Sequence, residues 1–172
     1  IQYIGTDDLD IDLFESQYDV PEGMSYNSYV IIDDKIAVMD TVDNRKAEEW
    51  KRNLAVRLNG RTPDYLVVHH MEPDHASLIA ETVKTYDSLT VVTSAAAAKM
   101  LGNFFEGVDF SSRIHIVKEG DTLELGHHTL HFIAAPMVHW PEVIMSYEAQ
   151  EKVLFAADAF GKFGALCNET DD

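Results

Sequence analysis

The run His69-His70-Met71-Glu72-Pro73-Asp74-His75 places two imidazoles and two carboxylates, His70, Glu72, Asp74 and His75, within six residues. Imidazole and carboxylate together suit first-row metal ions. On extended backbone, residues two apart point to one side, so His70 and Glu72 face together. Pro73 then turns the chain, and adjacent Asp74 and His75 address a neighbouring position. That spacing suits two ions side by side better than one. An alternative is a plain helix start, with Asp74 as the cap and His75 in the first turn. It leaves His70 and Glu72 without a role. Two later residues read as completions. His139 follows the strand-like run 128–134, and Asp158 follows the apolar run 153–157. They supply the third ligand and the bridging carboxylate that a two-metal site needs.

These residues must be held by something, and the hydrophobic pattern says what. Residues 9–14 alternate apolar and acidic, as a half-buried strand does. Residues 29–32 and 36–39 read as a hairpin around a two-residue turn, Asp33-Asp34. Residues 45–59 predict a helix, with Ala47, Trp50, Leu54 and Leu58 on one face and Gly60 after its end. A short buried strand is expected at 65–68, a helix at 76–86 and a strand at 89–93. Ser94 caps a helix over 95–104. Strands follow near 114–117, 122–125, 128–134, 143–147 and 153–156. Strands, then strand–helix alternation, then strands predict an α/β layered fold with a mixed sheet. The metal-binding run then lies at the C-terminal end of a strand, where open α/β sheets present ligands. No repeat or linker divides the chain.

The pattern His70-x-Glu72-x-Asp74-His75, then His139, then Asp158, resembles the binuclear motif of the metallo-β-lactamase superfamily. Typical hydrolases of that superfamily have histidine where this chain has Glu72. The glutamate form resembles the flavodiiron proteins, which reduce dioxygen to water or nitric oxide to nitrous oxide. Gly23-Met24-Ser25-Tyr26-Asn27-Ser28-Tyr29, Met39-Asp40-Thr41-Val42-Asp43 and Met137-Val138-His139-Trp140-Pro141-Glu142 are similar to that family too. The resemblance implies a metallo-β-lactamase-like αββα sandwich with mixed sheets, over residues 1–172. It implies one iron on His70, Glu72 and His139, and another on Asp74 and His75, with Asp158 bridging and a hydroxide or oxo group between them. Tyr26 and Trp140 are expected beside the ligands. Trp140 is read as a shield, an electron path or plain packing. The family's further histidine, far beyond the bridging aspartate, has no counterpart, since no histidine follows His139. The fold is therefore expected to be incomplete at the C-terminus, the N-terminal part of a longer domain. A start at Ile1 and a polar end agree with a fragment, or with a processed chain.

Charge bears on the metal. Glu72, Asp74 and Asp158 bring three negative charges against four from two divalent ions or six from two trivalent ones. The site reaches the ferric state without extreme charge, which favours redox-active iron over zinc. The leading expectation is a diiron oxidoreductase acting on dioxygen or nitric oxide. A flavin-free dioxygen sensor and a binuclear zinc hydrolase are the alternatives. No G-x-G-x-x-G or GKS/GKT loop is present, so no flavin or nucleotide site is expected in these residues. The resemblance implies flavin mononucleotide on a flavodoxin-like domain, or another electron donor, outside them. A head-to-tail homodimer is implied by the family.

Thirty acidic residues against 13 basic ones give a net charge of −17, which disfavours nucleic acid and anionic membranes as partners. One cysteine, Cys167, rules out an internal disulfide and CxxC sites. A cytoplasmic setting is expected. The other polar clusters carry less. His69 should point away from His70. His127 and His131 would sit roughly 13 Å apart on a strand, so they and His128 are structural or exposed. His115 is outward-facing. Asp8, Asp10 and Asp12 lack the Gly and Glu that an EF-hand loop requires.

Overall fold

Alternation along the central strands decides the layering. The computed structural model describes residues 1–168. In chain order, the first elements are β1 (Gln2–Tyr3), β2 (Thr6–Asp8), β3 (Leu13–Phe14), β4 (Tyr18–Asp19), β5 (Met24–Tyr26), β6 (Tyr29–Ile31) and β7 (Ala37–Met39). Next come α1 (Ala47–Leu58), β8 (Tyr65–Val67), α2 (Pro73–Ala76), α3 (Ile79–Thr85), β9 (Thr90–Thr93), α4 (Ala95–Phe104) and β10 (Ile114–Ile116). The last strands are β11 (Thr122–Glu124), β12 (Thr129–Ala134), β13 (Ile144–Glu148) and β14 (Val153–Phe155).

A six-stranded sheet runs β1-β6-β7-β8-β9-β10, and a four-stranded antiparallel sheet runs β11-β12-β13-β14. In the first, β7, β8, β9 and β10 are parallel, while β1, β6 and β7 pair antiparallel. Val30, Val38, Leu66 and Val91 lie in one cross-strand row and pack with Trp50, Leu54, Ile79, Val83 and Leu101 of the helices. Met39, Val67 and Val92 form a row on the opposite face and pack with Leu130, Phe132, Ile144 and Phe155 of the second sheet. The first sheet is thus buried on both faces, which is why its strands read as continuous apolar runs. Each such side chain contributes about 1.5–3 kcal/mol on burial. The layers are helix, sheet, sheet. On the outer face of the second sheet, His131 and Ile133 are exposed, and no helix among the described residues covers them.

Three local expectations need correction. The strand expected over 9–14 is replaced by β2 and β3 flanking a bend, where the Asp10 amide donates to Asp8 Oδ1 at 3.2 Å. The two-residue hairpin turn is a longer connection, since Ile31 pairs with Ala37. Asp64 there accepts from the Ile36 amide (2.9 Å) and Asp33 from the Asp34 amide (2.8 Å), side-chain bonds that compete with a tight turn. The helix expected over 76–86 is two helices. Thr41 donates to the His75 carbonyl from its amide (2.8 Å) and its hydroxyl (2.7 Å), occupying the acceptor that would continue the helix. By contrast, Ser94 Oγ caps α4 as expected, accepting from the Ala97 amide at 3.1 Å.

Candidate metal centre

The C-terminal ends of β7, β8 and β9 open on one side of the first sheet, and the loops after β12 and β14 reach the same place. Asp40 follows β7, the 69–75 run follows β8, His139 lies between β12 and β13, and Asp158 follows β14. Glu72 stands at the N-cap of α2 but makes no side-chain capping bond, and Pro73 occupies the first turn. The carboxylate is therefore turned to the site, and the plain helix-start reading falls.

His70 Nε2 lies 3.0 Å from Glu72 Oε2, 3.2 Å from His139 Nε2 and 3.2 Å from Asp158 Oδ2. His139 Nε2 lies 2.8 Å from Glu72 Oε2 and 3.3 Å from Asp158 Oδ2. Donors bonded to one ion at roughly 2.1 Å stand roughly 3.0–3.4 Å apart, so these four are spaced as the shell of one ion. A second group is Asp74, His75 and Asp158. His75 Nε2 is 2.7 Å from Asp158 Oδ1 and 3.5 Å from Asp74 Oδ2. One oxygen of Asp158 faces each group. All six expected ligands are thereby brought together.

The surroundings fit cations. Asp74 Oδ1 is buried without a hydrogen-bond partner among the described residues. Burial pushes the Asp74 carboxyl above its usual range. Burial acts against charge on Asp158 as well, but hydrogen bonds from His70 and His75 outweigh it and hold that carboxyl low. Burial disfavours a charged His75, yet Asp74, Asp158 and Asp40 push it well above 6.5. His70 is raised too, because bonds to Asp158 and Glu142 outweigh its burial. The histidines hold protons where bound cations would supply the charge instead. Imidazole and carboxylate donors of this number fit two first-row ions.

Two residues with a part in the site went unassigned from the sequence. Asp40, backbone φ 54°, accepts from the His69 amide at 2.7 Å and from His69 Nδ1–H at 2.9 Å, and its Oδ2 lies 3.5 Å from His75 Nδ1. Glu142 accepts from His70 Nδ1–H at 2.8 Å and from the Met71 amide at 2.9 Å. Carboxylates behind metal-binding histidines fix the ring and its tautomer. The available signal was position: Asp40 ends an apolar strand, and Glu142 is an acid between Pro141 and the apolar pair Val143-Ile144.

His69 faces away from the ligands, as expected, with Ser146 Oγ 2.7 Å from its Nε2. Trp140 stands edge-on to His70, ring centres 5.2 Å apart. Tyr26 is a correction. Its ring is buried in the core beneath the first sheet, and its hydroxyl donates to Asp8 Oδ2 at 3.3 Å, beside the Arg45–Asp8 pair (2.6 Å). The cavity over the centre holds about 450 Å³, and Phe14, Tyr18 and Phe163 line part of it, the Phe163 ring 5.7 Å from Phe14 and 5.3 Å from Tyr18. His128 is buried against Glu148, while His115, His127 and His131 are exposed. Among the described residues no helix is long and apolar enough to cross a membrane.

Comparison with known proteins identifies the family and the fold. Residues 24–171 match the family described as ODP family beta lactamase. The chain is 34% identical over 171 residues to the anaerobic nitric oxide reductase flavorubredoxin of Pectobacterium atrosepticum, covering 98% of this chain and 33% of that protein. The flavodiiron protein of Giardia intestinalis superimposes with a TM-score of 0.87 at 32% identity, over 99% of this chain and 40% of that one. The rubredoxin:oxygen oxidoreductase of Desulfovibrio gigas superimposes with a TM-score of 0.88 at 32% identity, over 95% and 40%. The chain spans about a third of the length of the curated relatives it matches.

Proposed function

The chain belongs to the ODP beta lactamase family, with flavodiiron proteins as its structural neighbours, and from that premise we propose that it is the metal-binding part of a diiron oxidoreductase. In this reading His70, Glu72 and His139 hold one iron, Asp74 and His75 hold the other, and Asp158 bridges them. The observation that carries it is Asp158, whose two oxygens face two separate donor groups, one of which contains Glu72. Bound there, two irons would supply reversible redox change and open positions for a small diatomic substrate.

The chain's own residues do the rest. Glu142 accepts from His70 Nδ1–H on the side away from the centre, and Asp40 Oδ2 lies 3.5 Å from His75 Nδ1. Phe14, Tyr18, Met24 and Phe163 give part of the cavity an apolar lining, beside Glu15 and Lys162, that leaves room for small uncharged molecules such as dioxygen or nitric oxide. A flavin, on a flavodoxin-like domain or a separate donor, would supply the electrons. A head-to-tail homodimer and a cytoplasmic setting belong to the same reading.

The test is metal content after anaerobic reconstitution, followed by dioxygen and nitric oxide consumption with a reduced flavin donor. Two irons per chain and catalytic consumption are expected. Two zinc ions with no iron uptake would replace this reading with the hydrolase. A long-lived dioxygen adduct without turnover would replace it with the sensor.

A further inference from the structure

His70 lies at the meeting of three elements, and one short stretch holds it from two sides. That stretch is His139-Trp140-Pro141-Glu142. His139 faces the same donor group as His70, with the two Nε2 atoms 3.2 Å apart. Trp140 presents its indole at 89° to the His70 ring, centres 5.2 Å apart. Glu142 Oε1 takes the His70 Nδ1–H at 2.8 Å and the Met71 amide at 2.9 Å. Glu142 is 1% exposed, and its second oxygen is buried without a hydrogen-bond partner among the described residues. A buried carboxylate with one oxygen unpaired is costly unless the bonds made by the other are needed. The stretch is itself fixed. Pro141 limits its own backbone and that of Trp140. The Glu142 carbonyl accepts from Ser94 Oγ at 2.8 Å, which ties it to the start of α4.

We propose that Glu142 is a positioning residue for the metal position of His70, Glu72 and His139. Through it, residues 139–142 supply one imidazole ligand and set the orientation and tautomer of the other. The inference rests on the metal-centre reading above, but not on iron or on redox chemistry. Glu142 acts on this position chiefly through His70, whose Nε2 is left to the ion because Nδ1 carries the proton. Removing its charge weakens His70 as a donor, while Asp74 and His75 make no contact with Glu142 and their position is left unchanged.

The test uses the 172-residue chain titrated with Co²⁺ against a competing chelator, with the visible spectrum recorded. Glu142→Gln should weaken one of the two Co²⁺ positions about 10- to 100-fold and shift its d–d bands. In a His70→Ala background the same change should add little further loss, since both act on one ligand. Wild-type affinity and spectrum in Glu142→Gln, even with a lower unfolding temperature of the metal-free chain, would overturn the proposal and leave the metal centre standing. Absence of Co²⁺ uptake by the wild type would overturn the centre itself, and this inference with it. Should Glu142→Gln fail to fold, the zinc-loaded wild type decides by ¹⁵N NMR. A protonated, exchange-protected His70 Nδ1 supports the proposal, and an unprotonated Nδ1 overturns it.

Discussion

A carboxylate set between two donor groups makes their occupancy interdependent. Asp158 Oδ2 faces His70 and His139 while Oδ1 faces His75, so losing this one side chain strips both positions of a ligand. Asp158→Ala should therefore leave less than one tightly held metal per chain. Asp74→Ala touches only the second group and should leave about one. Elemental analysis after gel filtration separates the two outcomes. Tyr26 gives the opposite expectation. Its hydroxyl is spent on Asp8, away from the centre. Tyr26→Phe should keep the wild-type metal content and cost about 1 kcal/mol or less in denaturant unfolding. From the sequence alone the six candidate ligands that the fold brings together were legible, because residue type and spacing state what an ion needs. Asp40 and Glu142 were not, because a carboxylate behind a histidine differs from one on a surface only in what folds against it.

Among the elements, those governed by local chemistry were the most readable. Ser94 before an alanine-rich run announces α4, and the cap bond to Ala97 is made. The same hydroxyl also donates to the Glu142 carbonyl. Ser94→Ala should therefore cost about 1–2 kcal/mol in thermal or denaturant unfolding, the upper part of the range for a lost cap. It should also loosen the 139–142 stretch, seen as faster amide exchange there. The break between α2 and α3 was unreadable, since it comes from Thr41 taking the His75 carbonyl, a contact spanning 34 residues. Propensity favoured a continuous helix, and a tertiary bond overrode it. That bond also fixes the backbone from which His75 enters the site.

At the scale of the molecule, metal bound at this centre would couple to stability through protons. In the metal-free chain His75 is held well above 6.5 by the acids around it, despite its burial. A raised histidine contributes stability that is complete below its unfolded value and is lost as pH rises through the folded one. The metal-free protein should thus lose stability as pH climbs above about 6.5, when the carboxylates are left facing one another. The metal-loaded protein should not, because the ion keeps its charge and competes better as protons leave. The gap in unfolding temperature between loaded and chelator-treated samples should widen from pH 6 to pH 8. A constant gap would mean that the protons do not stand in for the metal.

The sequence by itself determined the candidate ligand types, their order, the strands that end beside them and the layered α/β class, because these follow from chemistry within a few residues or from periodicity along one element. Only the tertiary structure decided that His70, Glu72, His139 and Asp158 converge, that Asp158 turns one oxygen to each group, and that Asp40 and Glu142 stand behind the histidines. It also turned Tyr26 away toward Asp8. The physical reason is distance along the chain. His70 meets Glu142 across 72 residues and His75 meets Asp158 across 83, and such contacts exist only once both sheets have packed their apolar faces together.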